Sequence, residues 1–142
     1  MTLPTLCLGD RKPAAIKYAE AQGLADEWYP GWDPLSIPDL DGIVSPANTI
    51  GEMSGGYDLT LRNAYQRQKI AIQPIIQSSI RSTPIFLGDA RAIRVGGDIP
   101  WIIVVPTVIG KNDRFGLMQS TSPGPDIVSK ATDLPPEAPS FI

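Results

Sequence analysis

The sequence predicts a single α/β domain, and three observations carry that reading. A short apolar run over residues 3–8 leads through Gly9-Asp10 into a helical stretch that stops at Gly23; a strand–turn–helix unit of this kind opens α/β domains. Residues 101–108, WIIVVPTV, form a nearly continuous apolar and β-branched run, the composition of a central strand buried on both faces. Between these, the short apolar pair Ile43-Val44 delivers a glycine-rich loop to the start of a helix.

Taken in order, residues 3–8 read as a strand. Asp10 reads as the N-cap of the first helix, Pro13 sits in its first turn and Gly23 stops it. Ala15, Ile16 and Ala19 mark its buried face. Residues 28–40 carry three prolines, which exclude a long regular element. Ile43 and Val44 form a short strand ending at Ser45-Pro46. Leu59, Leu61, Tyr65 and Ile72 mark a helix from near Tyr57-Asp58, interrupted at Pro74 by a break or a second helix over about 74–80. Residues 84–94 read as a strand. Gly96 and Gly97 supply the positive φ of a tight turn, so 90–108 is expected to be an antiparallel hairpin. Beyond Pro106 the pattern weakens. Residues 126–133 have room for two helical turns, the domain is expected to span 1–133, and 134–142 is a proline-rich tail.

Composition narrows the chemistry. A chain of 142 residues, 42% hydrophobic, is long enough to bury a core. Net charge is -3 and no basic stripe is present, so duplex nucleic acid is not an expected partner. A small anion remains open, because backbone amides bind one without net positive charge. The single cysteine, Cys7, excludes a disulfide framework. The absence of histidine excludes Ser-His-Asp and Cys-His catalysis and histidine metal sites. No metal and no cofactor is expected, and acid–base work falls to Asp, Glu, Lys, Tyr or water. No stretch has the length of a membrane span, so a cytoplasmic protein is expected.

The informative stretch is 41–58, DGIVSPANTIGEMSGGYD. A buried strand there presents Asn48 and a glycine-rich loop where a helix begins, the end of an α/β sheet at which ligands bind. Gly55-Gly56 lets a ligand approach the backbone, and the free N–H groups of the following helix suit a pyrophosphate. Asn48 both donates and accepts hydrogen bonds, as a ribose diol requires. The plainer alternative is that the glycines make a turn and Asn48 braces it. Met53 reads as a lid or surface residue, and Arg62, Arg67 and Lys69 as a solvated helix face.

This stretch resembles the signature of macro domains, in which D-A-I-V leads into N-A-A-N or S-P-A-N and then a G-G-x-D helix start. Asp41-Gly42-Ile43-Val44-Ser45-Pro46-Ala47-Asn48 and Gly55-Gly56-Tyr57-Asp58 match it in the S-P-A-N form of a bacterial and phage branch. WDPLSIPDLDGIV is similar to the family's lead-in, with Trp32-Asp33 in place of Gly-Asp. GDARAIRVGGDIPWIIVVPTV is similar to its hairpin and following strand. The resemblance covers about residues 30–133. It implies a three-layer α/β/α macro-like domain with a mixed central sheet that holds an ADP-ribose-like, NAD-derived nucleotide.

The resemblance also implies roles. Asp33 would accept from the adenine 6-amino group, and Asn48 would hold the distal ribose. Gly55, Gly56 and the amides nearby would contact that ribose and the pyrophosphate, with Tyr57 among the ligand-binding residues. Asp58 would be the catalytic carboxylate, activating water in the manner of hydrolytic members; otherwise it is a first-turn carboxylate favoured by the helix dipole. Three functions follow. The first is capture of ADP-ribose; the alternatives are an ADP-ribosyl hydrolase acting on a macromolecule or derivative, and a degenerate macro fold serving as a protein-interaction module. The family's second phosphate loop has no counterpart in the sequence, which disfavours efficient turnover and leaves Gly110, Gly116 or Gly124 as substitutes. An open sheet edge then predicts a homo-oligomer or a partner chain. Trp32 is expected to fill core, the alternative being that its indole stacks on adenine.

Overall fold

A computed structural model describes residues 3–111 of the chain. The helix expected over 126–133, the tail 134–142, and Gly116 and Gly124 lie outside the described residues. Strand β1 (Cys7–Asp10) and strand β2 (Glu27–Pro30) pair in parallel, Leu8 opposite Trp28. Parallel neighbours need a crossover, and helix α1 (Pro13–Ala21) supplies it, burying Ile16 and Ala19. Asp10 does not cap this helix. Its Oδ1 accepts from the Lys12 N–H at 2.7 Å, and Lys12 occupies the N-cap position with Pro13 at the first helical residue. The aspartate has closed a local turn instead, which such side chains do readily.

β2 overlaps the start of the segment read as turns. Three prolines forbid a long element, yet Pro30 closes a four-residue strand without interrupting it. A short 3-10 helix, Pro34–Ser36, follows, with Asp33 as its N-cap. Gly9 permits this approach: a Cβ there would stand 3.0 Å from Ile37 Cδ1.

Strand β3 (Gly42–Ser45), helix α2 (Gly56–Arg67), helix α3 (Ile72–Ser82), strand β4 (Arg91–Arg94) and strand β5 (Trp101–Val104) complete the order. The second sheet runs β3-β5-β4, with β3 and β5 parallel and β4 antiparallel to β5. Over the described residues the chain is thus a small α/β domain with a mixed sheet and three helices. The described strands form two sheets rather than one continuous central sheet. β5 is the central strand, and Ile102, Ile103 and Val104 are completely buried, as the unbroken apolar run predicts. Ile43, Met53, Leu61, Tyr65, Ile72 and Ile76 pack the main core against it.

The second helix expected from about Pro74 forms as α3, and Pro74 breaks nothing. It is the third residue of α3, where a helix needs no N–H. The strand expected over 84–94 begins only at Arg91. Before it a turn is closed by Asp89 N–H to Phe86 C=O at 3.0 Å and by Phe86 N–H to Asp89 Oδ2 at 2.9 Å. The 90–108 hairpin forms as expected, Gly96 and Gly97 both taking positive φ. The end of α2 holds it: Tyr65 donates to the Ile99 carbonyl at 2.5 Å, and Gln68 Oε1 accepts from Asp98 N–H at 2.9 Å.

Two side-chain expectations are overturned. Met53 is buried at 1% exposure, because the loop folds back and its N–H donates to Gln73 Oε1 at 2.8 Å. Trp32 is 45% exposed and meets Tyr29 in a T-shaped contact rather than filling core. Among the described residues no helix is long and apolar enough to cross a membrane.

Candidate functional site

β3 and β5 continue side by side past their ends. Ala47 N–H donates to the Val105 carbonyl at 3.0 Å, Thr107 N–H to the Ala47 carbonyl at 2.9 Å, and Asn48 bridges in parallel to Val108. This extension launches the loop 48–55 that ends in α2. Asn48 is its brace: Oδ1 accepts from Ile50 N–H at 3.2 Å and Glu52 N–H at 3.0 Å, while Nδ2 donates to the Glu52 carbonyl at 2.9 Å. Gly110 packs against the same segment. Its N–H donates to Thr49 Oγ1 at 2.8 Å, and a Cβ there would fall 2.4 Å from Ile50 Cγ1.

The glycines of this loop serve different ends. Gly51 has φ 71°, and a Cβ on it would press Ile76 and Ile80 at 3.0 Å, so the fold requires it. Gly55 is the N-cap of α2 in an extended conformation that any residue adopts (φ -156°, ψ 169°) and provides no side-chain cap. Gly56 has φ 58°. At Gly55 and at Gly56 nothing lies within 4 Å of an added Cβ. The opening turn of α2 is therefore uncapped and open on its outer side, the arrangement that receives anions.

Asp58, two residues into α2, is buried at 7% exposure and accepts from Ser45 Oγ at 2.5 Å, with Ser45 itself 1% exposed. Burial pushes its carboxyl above the ordinary value, against the opposing pull of the Ser45 hydrogen bond. The pair ties β3 to the first turn of α2.

Beside this turn lies a cavity of about 380 Å³ lined by Gly9, Asp10, Arg11, Asp33, Pro34, Tyr57 and Thr60. It sits at the carboxyl end of β1, between the 3-10 helix and α2. Asp33 Oδ1 accepts from Leu35 N–H at 3.0 Å, and Oδ2 pairs with Arg11 Nη2 at 2.6 Å. The Tyr57 hydroxyl is buried and has no hydrogen-bond partner. Burial first, and the Asp33 charge second, raise the pKa of this phenol, with Arg11 opposing, so the phenol keeps its proton. A second cavity, about 590 Å³, shares Arg11, Asp33 and Thr60 and runs toward Arg67, Gln68 and Asp98.

Of the residues singled out from sequence, Asp33 and Tyr57 meet in one cavity, and Gly55 and Gly56 adjoin it through Tyr57. Asn48 and Asp58 do not line it. Arg62, Arg67 and Lys69 are exposed, as expected of a solvated face. Sequence reasoning missed Arg11 and Thr60. The only signal for Arg11 was its position directly after Gly9-Asp10, at the carboxyl end of a strand. Among the described residues no group of three or more His, Cys, Asp or Glu side chains is placed to hold a metal. Comparison with protein-family models, with curated proteins and with solved structures brings no match, so a functional reading rests on the geometry of the site and on the motif resemblance.

Proposed function

We propose that the chain binds an ADP-ribose-like nucleotide, its base in the cavity of Asp33 and Tyr57 and its phosphates along the opening turn of α2. The observation that carries the reading is that an uncapped helix start, kept open by Gly55 and Gly56, adjoins a cavity with an acceptor carboxylate and an unpaired phenol. Phosphate suits the first element and a polar heterocycle the second. The macro-domain resemblance of 41–58 supports the same placement, and we propose with it that the two sheets belong to a three-layer α/β/α arrangement. Binding without turnover is preferred to hydrolysis, because Asp58 is buried against Ser45 rather than facing the cavity. Association through an exposed sheet edge belongs to the same proposal, and a strict monomer in sedimentation at micromolar concentration would count against it.

Isothermal titration with ADP-ribose tests the reading, with Gly55→Asp as the control. Aspartate is a good N-cap and nothing crowds position 55, so the variant should fold at least as well as the parent. Its carboxylate would repel phosphate. Saturable binding by the parent and a loss of about tenfold or more in the variant are expected. Absence of binding by the parent would refute the proposal.

A further inference from the structure

Arg11 stands out for its place. Its side chain is 76% exposed and is held at Asp33 Oδ2. With Asp33 it is one of the charges that act on the Tyr57 phenol, and all three residues line the 380 Å³ cavity. The phenol oxygen is buried, so a ligand reaches it only after a neighbour moves. An exposed ion pair is cheap to break. Arg11 also lines the 590 Å³ cavity, where Asp39 and Asp98 are found, so a displaced guanidinium has room and carboxylates to meet.

We propose that the Arg11–Asp33 ion pair is an exchangeable cover over the Tyr57 hydroxyl, displaced by a base that carries an amino group beside a ring-nitrogen acceptor. This rests on the nucleotide reading above and adds the groups that select the base. The amino group replaces Arg11 on Asp33, and the ring nitrogen accepts from Tyr57, satisfying a hydroxyl that the free protein leaves unpaired. A base with an oxo group in place of the amine sets one acceptor against another and cannot release Arg11. Tyr57 is thereby a specificity-determining residue, and Arg11 a competitor of the ligand.

The test is titration of ADP-ribose and its inosine counterpart into the parent protein, Tyr57→Phe and Arg11→Ala. The parent should prefer the adenine form. Tyr57→Phe deletes an unpaired buried hydroxyl, so its melting temperature should not fall. It should lose about three- to tenfold in affinity for ADP-ribose while the inosine form is unaffected, narrowing the ratio. Arg11→Ala, at an exposed site, should bind ADP-ribose about two- to fivefold more tightly. An unchanged adenine-to-hypoxanthine ratio in Tyr57→Phe, or weaker binding by Arg11→Ala, overturns the inference while leaving nucleotide binding intact. A parent protein that binds neither nucleotide removes both readings.

Discussion

Asp58 shows how one residue type serves two masters. As a first-turn carboxylate it suits the helix dipole, yet burial raises its pKa above the ordinary 3.8, with the Ser45 hydrogen bond pulling the other way. The sign follows from linkage. Below 3.8 the folded and unfolded chains both carry the proton. As pH rises, the unfolded chain ionises first, so stability drains away until the folded carboxyl ionises as well. Asp58→Asn does not ionise, so its melting temperature relative to the parent should rise between pH 3.8 and neutrality. A difference independent of pH would contradict this. Cys7 offers a second residue-scale test. Burial pushes its thiol up to about 11, helped by its contact to Glu27 Oε2 at 3.5 Å. Little thiolate exists at neutral pH, and alkylation there should require unfolding. Rapid labelling of the native protein would contradict the placement of Cys7 in the core.

At the scale of elements, the loop 48–55 and helix α2 act as one device, and its glycines separate by role. Gly51→Ala meets both a positive φ and two isoleucines, and should cost about 1–3 kcal/mol in denaturant unfolding. Gly55→Asp should cost nothing. Equal losses at the two positions would mean that Gly55 is structural too. The sequence made the loop visible, because glycines and a helix start lie together in it. It left Asn48 open between ligand contact and brace, and the three hydrogen bonds of its side chain to the loop backbone favour the brace. Pro74 was legible as the mark of a second helix but not of that helix's first residue. That distinction depends on which residue before it first turns helical, and Ile72 is fixed by burial in the core. Burial also decides Met53, whose side chain gives no sign in sequence of facing inward.

For the molecule as a whole, β5 was the most legible element: a long apolar run has no place but the centre of a sheet. β2 was the least, because a short strand among prolines is defined by its neighbour β1 and not by its own pattern. The same limit hid the cavity. Gly9, Arg11, Asp33 and Tyr57 come from three separate segments, and only the parallel pairing of β1 with β2 and the position of α2 bring them together. The central claim is that these segments form a nucleotide site, and it predicts where a ligand must act. Backbone amide shifts recorded by NMR during titration with ADP-ribose test it most directly. The expected result is saturable change concentrated at Gly55, Gly56 and Tyr57, with Arg11 and Asp33 following the same curve. Saturable changes confined elsewhere, such as the hollow beside Leu3 and Leu24, or no change at millimolar ligand, would contradict it.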